Sequence, residues 1–299
     1  MSLSLILPAK NEAAALAPLL ARLRERFPEA ELIVVDDGST DDTAALAQAA
    51  GARVVRHPVS LGNGAAVKSG ARAATGEVLV FMDADGQHDP DDIPRLLAKL
   101  DEGYDMVVGA RDAASQASLG RGLANRLYNR LAGYMTGHRI PDLTSGFRAV
   151  RAARFRRFLY LLPNGFSYPT TITMAFFRCG YPVAYVPIHA ARRIGRSHLK
   201  PWKDGLRFLL IIFKIATLYS PLKLFAPLSA LFFLAASLWY VHTFISIGRF
   251  TNMSALLYTA SLLIFLMGLV SEQITMLMYR DDEGECLRVS YEEDAQCLI

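Results

Sequence analysis

The sequence predicts an α/β fold with a mostly parallel sheet, followed by an amphipathic helix and an apolar helical hairpin. Short apolar runs alternate with helical patterns through roughly the first 200 residues, the signature of strand–helix repeats. Polar clusters sit just after the ends of three of those runs. From about Leu222 to Met278 the chain is almost wholly apolar.

Leu3 to Leu7 reads as a buried strand ending at Pro8. Asn11 to Phe27 follows as a helix, with Leu16, Leu19, Leu20 and Leu23 at helical spacing. Glu31 to Val35 is a second strand, closed by Asp36-Asp37-Gly38-Ser39. Thr40 to Ala50 is helical and Arg53 to Val55 is a third strand. Gly64 to Ala74 is a helix with small residues on one side, and Val78 to Met82 a fourth strand. Asp91 to Leu100 is helical, and Met106 to Val108 extended. In open α/β sheets ligands bind at the carboxyl ends of strands. Pro8 to Glu12, Asp36-Asp37 and Asp83-Ala84-Asp85 occupy such ends and are expected to share one crevice.

The organisation divides into an α/β domain over residues 1–200, a juxtamembrane amphipathic helix over 201–221, two membrane helices within 222–280 and an acidic tail over 281–299. The apolar runs, about 224–247 and 255–278, each suffice for a bilayer core of about 30 Å. The connection Gly248 to Ser254 is short, which predicts a helical hairpin. Basic residues from Arg192 to Lys223 precede the first span. They read either as a solvated face or as a contact for anionic headgroups. The positive-inside rule puts that side, both termini and the first domain in the cytoplasm, at the inner membrane. Trp202 to Leu218 carries Leu206, Leu209, Leu210 and Phe213 on one face. It reads as an interfacial helix or an ordinary core helix. Asp281 to Ile299 is expected to be a mobile tail.

The formal net charge of +4 is too small to argue for a nucleic-acid partner. Cys179, Cys286 and Cys297 form no C-x-x-C, so neither a disulfide framework nor a zinc site is expected. The N-terminus lacks the basic start and long apolar stretch of a signal peptide.

The sharpest chemical signal is Asp83-Ala84-Asp85-Gly86-Gln87-His88 at the end of an apolar strand. Two carboxylates one residue apart can share a hard cation, Mg²⁺ or Mn²⁺, which bridges phosphate oxygens and neutralises a departing diphosphate. Gln87 can add a neutral oxygen. Asp36 reads as a turn or helix-cap residue, and Asp37 as an acceptor for a nucleobase N–H. Gly62-Asn63-Gly64 suggests a dinucleotide loop. The third glycine position is Val67, however, so we read a tight loop that brings backbone close to a ligand.

The clusters Leu7-Pro8-Ala9-Lys10-Asn11-Glu12, Val35 to Ser39, Met82 to His88 and Asp142-Leu143-Thr144-Ser145-Gly146-Phe147-Arg148 together resemble glycosyltransferase family 2. Within it the chain is most similar to the dolichol-phosphate mannosyltransferase-like polyprenyl phosphate glycosyltransferases, and the terminal hairpin fits that branch. The resemblance implies a GT-A fold and inverting transfer from a UDP- or GDP-sugar to a polyprenyl phosphate. It puts Pro8, Ala9, Asn11, Glu12, Asp37, Gly64, Lys68 and Asp83 at the nucleotide, and Asp83, Asp85 and Gln87 on the metal. It puts Arg111, Arg121, Asn125, Asp142, Ser145, Arg148 and Arg192 on the acceptor side. A homo-oligomer, up to a tetramer, is left open through the hairpin. The sequence departs from the branch at His198, where relatives often carry lysine. It also departs at Phe166 to Thr171, where some mannosyltransferases place an acidic residue.

A lipid phosphate monoester has a second pKa of about 6 and is largely dianionic at neutral pH. It needs positioning more than deprotonation, so Asp142 reads as an orienting group, with a general base or a loop cap as its other readings. A processive polysaccharide synthase would carry Q-x-x-R-W, which is absent. A non-catalytic scaffold would not need Asp83, Asp85 and Gln87.

Overall fold

The computed structural model describes residues 1–111, 119–165, 167–189, 213, 217 and 219–296, with backbone alone at 119–125 and 280–296. The chain forms two compact units, Met1–Leu206 and Arg207–Ile299.

The first unit is built on a seven-stranded sheet. Its elements are β1 (Leu3–Ala9), α1 (Ala13–Arg26), β2 (Glu31–Asp36), α2 (Thr43–Ala49), β3 (Arg53–Arg56), α3 (Asn63–Ala73) and β4 (Val78–Phe81). There follow α4 (Ile93–Asp101), β5 (Met106–Arg111), α5 (Leu119–Thr136), β6 (Arg148–Arg151), α6 (Ala152–Arg157), α7 (Tyr168–Arg178) and β7 (Val183–Ile188). The strand order is β3-β2-β1-β4-β6-β5-β7, with β6 alone antiparallel to its neighbours.

The strands and helices read from apolar period between Leu3 and Val108 all form. Leu16, Leu19, Leu20 and Leu23 are the buried stripe of α1, because residues at these spacings share one helix face. Ile93, Leu96 and Leu100 do the same for α4. Both stripes join a core with the apolar runs of β1, β2 and β4. On α3, Gly70 lies so close to the sheet that a Cβ would meet Ile6 and Val35. The small-residue face of α3 therefore seats the helix directly on β1 and β2.

Strand β6 follows helix α5 but breaks the parallel alternation. It enters between β4 and β5 in the opposite sense, with Arg148 paired across from Phe81 and Val108. Its four residues, Arg-Ala-Val-Arg, are too short and too charged to give a strand signal in sequence.

The second unit contains α8 (Leu222–Ile247) and α9 (Asn252–Gln296). Two stretches, Leu222–Ile247 and Asn252–Tyr279, have mean hydropathy 1.9 and 2.1 and are long enough to cross a membrane. Gly248 ends α8 in the left-handed region at φ 69°, and its N–H closes on the Phe244 carbonyl. Polar groups between the helices are paired, as an apolar surround demands. The hydroxyls of Ser229 and Ser261 each donate to the other's carbonyl oxygen at 2.9 Å. Glu272 accepts from the Leu222 N–H at 3.2 Å and from the Ser220 hydroxyl at 3.3 Å, which caps the start of α8. The backbone of α9 is helical through Gln296, where composition suggests a mobile tail. Residues 280–296 contain no proline and a single glycine, so nothing local breaks the helix.

Candidate active site

The carboxyl edge of the sheet is a row of polar loops. His57 follows β3, Asp36-Asp37 close β2, Pro8 to Glu12 leave β1 and Asp83 to His88 leave β4. Strand order reverses between β1 and β4, the switch point where such sheets open a crevice. Because β6 runs backwards, its start and the preceding loop Asp142 to Phe147 reach the same edge, beside Arg111 at the end of β5.

The β1 and β2 loops are locked together. Asn11 sits in the left-handed region at φ 55°, which asparagine tolerates better than most residues. Its N–H donates to Ser39 Oγ at 2.9 Å, and its Oδ1 accepts from the Thr40 N–H at 2.8 Å. The Glu12 N–H donates to Thr43 Oγ1 at 3.1 Å. Pro8 and Ala9 are the buried last residues of β1, and the Ala9 carbonyl accepts from the Asp37 N–H at 2.9 Å. Asp36 accepts from the Ser39 N–H at 2.9 Å, in keeping with its reading as a turn residue. It also lies 3.2 Å from Arg56 Nε.

Asp37 is placed differently from its expected role. Its two oxygens take hydrogen bonds from His57 Nδ1 (2.7 Å), Ser60 Oγ (2.7 Å), Leu61 N–H (2.8 Å) and Gly62 N–H (2.9 Å). A carboxylate has about four lone-pair sites, so this one is filled. Burial pushes the Asp37 carboxyl up, but the bonds from His57, Leu61, Ser60 and Gly62 together hold it below its ordinary value. Asp37 therefore organises the 57–62 loop through both of its oxygens. His57 Nε2 lies 2.9 Å from Ser69 Oγ, which ties this loop to α3.

Gly64 and Lys68 also have partners other than a ligand. A Cβ on Gly64 would strike the carbonyl oxygens of Pro163 and Gly165, and one on Gly62, at φ 103°, would strike that of Asn164. The Ala65 N–H donates to the Asn164 carbonyl at 3.1 Å. Lys68 Nζ donates to the Leu162 carbonyl at 3.1 Å and to Asn164 Oδ1. The glycines do permit close backbone approach, but what approaches is the chain's own 162–165 segment.

At the centre, Gly86 turns the chain at φ 74° and the Gln87 N–H donates to Asp85 Oδ1 at 3.1 Å. Asp85 is buried and Asp83 is half-buried. Gly146 packs against Asp83, since a Cβ there would lie 3.0 Å from Oδ2 and 3.3 Å from the Tyr168 hydroxyl. A side chain at this position would crowd the carboxylate. Among the described residues no three His, Cys, Asp or Glu side chains form a closed metal cage. Two carboxylates with a neutral Gln87 oxygen instead fit a hard divalent cation that takes its remaining ligands from phosphate and water.

On the other side Arg111 and Asp142 form a forked pair, Nε to Oδ2 at 2.7 Å and Nη2 to Oδ1 at 3.1 Å. Arg111 Nη2 also donates to Thr144 Oγ1 at 2.7 Å. Burial pushes the Asp142 carboxyl up. The hydrogen bond and charge of Arg111 outweigh this and hold it below its ordinary value. Ser145 and Arg148 are interior residues and cannot touch an acceptor as placed. Arg148 is fully buried, donating to the Ser145 and Pro169 carbonyls and to Thr173 Oγ1, with Tyr168 beside it. It fastens the 142–147 loop to α7, because a guanidinium that enters the sheet at β6 has only carbonyls and hydroxyls to satisfy it. Arg121 and Asn125 lie on α5, but their side chains fall outside the described residues. So do Arg192, the Gly195 to His198 segment, Phe166 and all but two residues of Trp202 to Leu218.

Two residues of the site carried no assignment from sequence. His88 stacks on Phe147 with ring centroids 5.0 Å apart, and its Nε2 lies 3.6 Å from Asp83 Oδ2. Its place within Asp83 to His88 is the signal that marks it. Asn129 donates to the Pro141 carbonyl at 2.6 Å and accepts from the Leu143 N–H at 3.1 Å, clasping the loop on both sides of Asp142. Nothing local in sequence announces that contact.

Residues 4–159 match the model of glycosyl transferase family 2, and residues 220–277 match that of the GtrB C-terminal hairpin. The undecaprenyl-phosphate 4-deoxy-4-formamido-L-arabinose transferase of Pseudomonas aeruginosa is 31% identical over 93% of this chain and 86% of its own. Its Klebsiella pneumoniae counterpart is 33% identical over 65% of this chain, which spans 61% of that protein's length. Glycosyltransferase AglJ of Haloferax volcanii is 33% identical over 74% of each chain. Among solved structures, glucosyl-3-phosphoglycerate synthase from Mycobacterium tuberculosis, in complex with Mn²⁺, UDP and glucosyl-3-phosphoglycerate, superposes with a TM-score of 0.57. It is 25% identical and covers 72% of this chain and 78% of its own.

Proposed function

From the premise that the chain belongs to glycosyl transferase family 2, as a glycosyltransferase of GT-A fold with a membrane-type hairpin, we propose that it transfers one sugar from a nucleotide donor to a polyprenyl phosphate. The observation that carries this reading is the order of groups along one sheet edge. The locked β1–β2 loops come first, then the Asp83–Asp85 pair, then the Arg111–Asp142 pair.

The diphosphate of the donor lies over Asp83 and Asp85, with the base toward the Pro8 to Glu12 and 57–62 loops. UDP is favoured as the nucleotide by the Mycobacterium neighbour, which holds it together with Mn²⁺. A Mg²⁺ or Mn²⁺ ion held by Asp83, Asp85 and Gln87 would neutralise charge on the departing diphosphate.

Arg111 presents a guanidinium to the incoming lipid phosphate, and Asp142 fixes its plane. Arg121 and Arg192 are proposed as further phosphate contacts. The acceptor is already an anion, so attack with inversion needs no base. Asp142, held ionised by Arg111, is a positioning residue and a poor proton acceptor. The hairpin anchors the enzyme, with both termini and the catalytic unit on the cytoplasmic side.

The test is incubation of the purified full chain with undecaprenyl phosphate, Mg²⁺ or Mn²⁺ and a panel of UDP- and GDP-sugars, read by lipid mass spectrometry. A glycolipid carrying a single sugar is expected from one donor. A ladder of added sugars would assign a processive synthase, and no product from any donor would overturn the reading.

A further inference from the structure

Beside the loop that carries Asp142, an open cleft of about 430 Å³ lies between the second half of α5 and the segment that follows it. Arg126, Arg130 and Arg139 line it, with His138 and Asn129. Arg126 and Arg130 stand four residues apart on α5, so they share one face. All three arginines are exposed, and among the described residues no acidic side chain pairs with any of them. Like charges at this helical spacing repel, and Arg139 adds a third charge from the facing wall.

The cleft walls are built rather than loose. Gly137 reverses the chain at φ 77°, with its N–H on the Gly133 carbonyl at 2.8 Å. The missing side chain of Gly133 lets the His138 carbonyl close on the helix, since a Cβ would lie 3.0 Å from that oxygen. The His138 ring stacks on Phe177 with centroids 4.8 Å apart. Asn129 holds Pro141 from below at 2.6 Å, and Ile140 is buried. The arginines are thus carried on two fixed walls facing one space.

We propose that this cleft is a second anion site, formed by arginines other than those assigned to the transfer step, that binds a phosphate-bearing group. Three guanidiniums around one opening match the oxygens of a phosphomonoester or phosphodiester, and an anion there relieves their mutual repulsion. A volume of this size accommodates a phosphate with a glycerol-sized substituent. The phosphate can come from a membrane lipid headgroup or from a soluble phosphate ester.

The experiment is calorimetric titration of the full chain in a neutral detergent, saturated with UDP and Mg²⁺, with inorganic phosphate, glycerol phosphate and dihexanoyl phosphatidylglycerol. The comparison proteins are Arg130→Gln/Arg139→Gln and Arg126→Gln. Their thermal midpoints and UDP affinities are measured alongside, so a misfolded variant is recognised and the other carries the test. We expect a binding step in wild type that weakens at least tenfold in the double variant and at least threefold in Arg126→Gln. A lipid bound tenfold more tightly than glycerol phosphate identifies a headgroup site. Equal affinities identify a soluble ester. Absence of binding by all three probes at millimolar concentration, or binding unchanged in the folded variants, would overturn the proposal.

Discussion

The Arg111 guanidinium grips the Asp142 carboxylate through two parallel bonds, with Nε at 2.7 Å from Oδ2 and Nη2 at 3.1 Å from Oδ1. The carboxylate is buried, and the arginine holds it ionised. Replacing Asp142 with alanine releases the guanidinium and leaves it without its charged partner. Loss of charge-assisted bonds of this kind costs about 1.5–3 kcal/mol, so transfer efficiency is expected to fall about ten- to a hundredfold. Affinity for UDP with Mg²⁺ should change little. Calorimetry showing that UDP binding collapses with transfer would move the pair to the donor side.

The same pair sets an expectation for pH. The Asp142 carboxyl is depressed in the folded protein, so its contribution to stability is fully present above the unfolded carboxylate pKa of about 3.9. It is lost as pH falls through the lower folded value. A wild-type minus Asp142→Asn difference in melting temperature should therefore be constant from pH 8 to pH 5 and shrink below pH 4. Activity should show no ionisation of Asp142 near neutrality. A transfer-rate limb in that range that vanishes in Asp142→Asn would instead make Asp142 the base.

Asp85→Ala should abolish transfer while the far-UV spectrum and melting temperature of the protein stay near wild type. EDTA should do the same to wild type, with recovery on adding Mg²⁺ or Mn²⁺. Full activity after chelation and thorough dialysis would remove the metal from the mechanism.

For Asp37 the expected signature is structural as well as functional. Asp37→Ala frees four donors of the 57–62 loop at once. Stability should drop by roughly 3 kcal/mol, together with nucleotide affinity. A direct base contact predicts lost affinity at unchanged stability, so a denaturant midpoint equal to wild type would restore the role that its position in sequence suggests.

Thr251, in the turn between α8 and α9, tests the topology. A cysteine introduced there, in a chain with its three native cysteines replaced by serine, should react with a membrane-impermeant thiol reagent applied outside intact cells. Labelling only after the membrane is opened would reverse the proposed orientation.

The first strands and helices were legible because their burial is local and periodic. β1, β2 and β4 bury on both faces and read as continuous apolar runs, and α1 and α4 bury one stripe each. Asp83 and Asp85 were legible because a strand must deliver them to a fixed edge. Strand β6 was not, since its pairing with β4 and β5 is a long-range event that four mixed residues cannot signal. Gly64 shows a subtler limit. Sequence says that something must come close, and only the packing of the 162–165 segment says what does.

The sequence alone determined the α/β class, the delivery of Asp83 and Asp85 to a strand end, the apolar hairpin and the family likeness. Each of these rests on neighbouring residues whose period, spacing or composition carries its own physical meaning. Tertiary structure alone decided which polar groups are already satisfied. Asp37 is filled by the 57–62 loop, Lys68 by Leu162 and Asn164, and Arg148 by carbonyls at the heart of the sheet, whereas Arg126, Arg130 and Arg139 keep their charges open around a cleft. A hydrogen bond depends on where two distant segments meet, and that position is set by the packing of the whole chain.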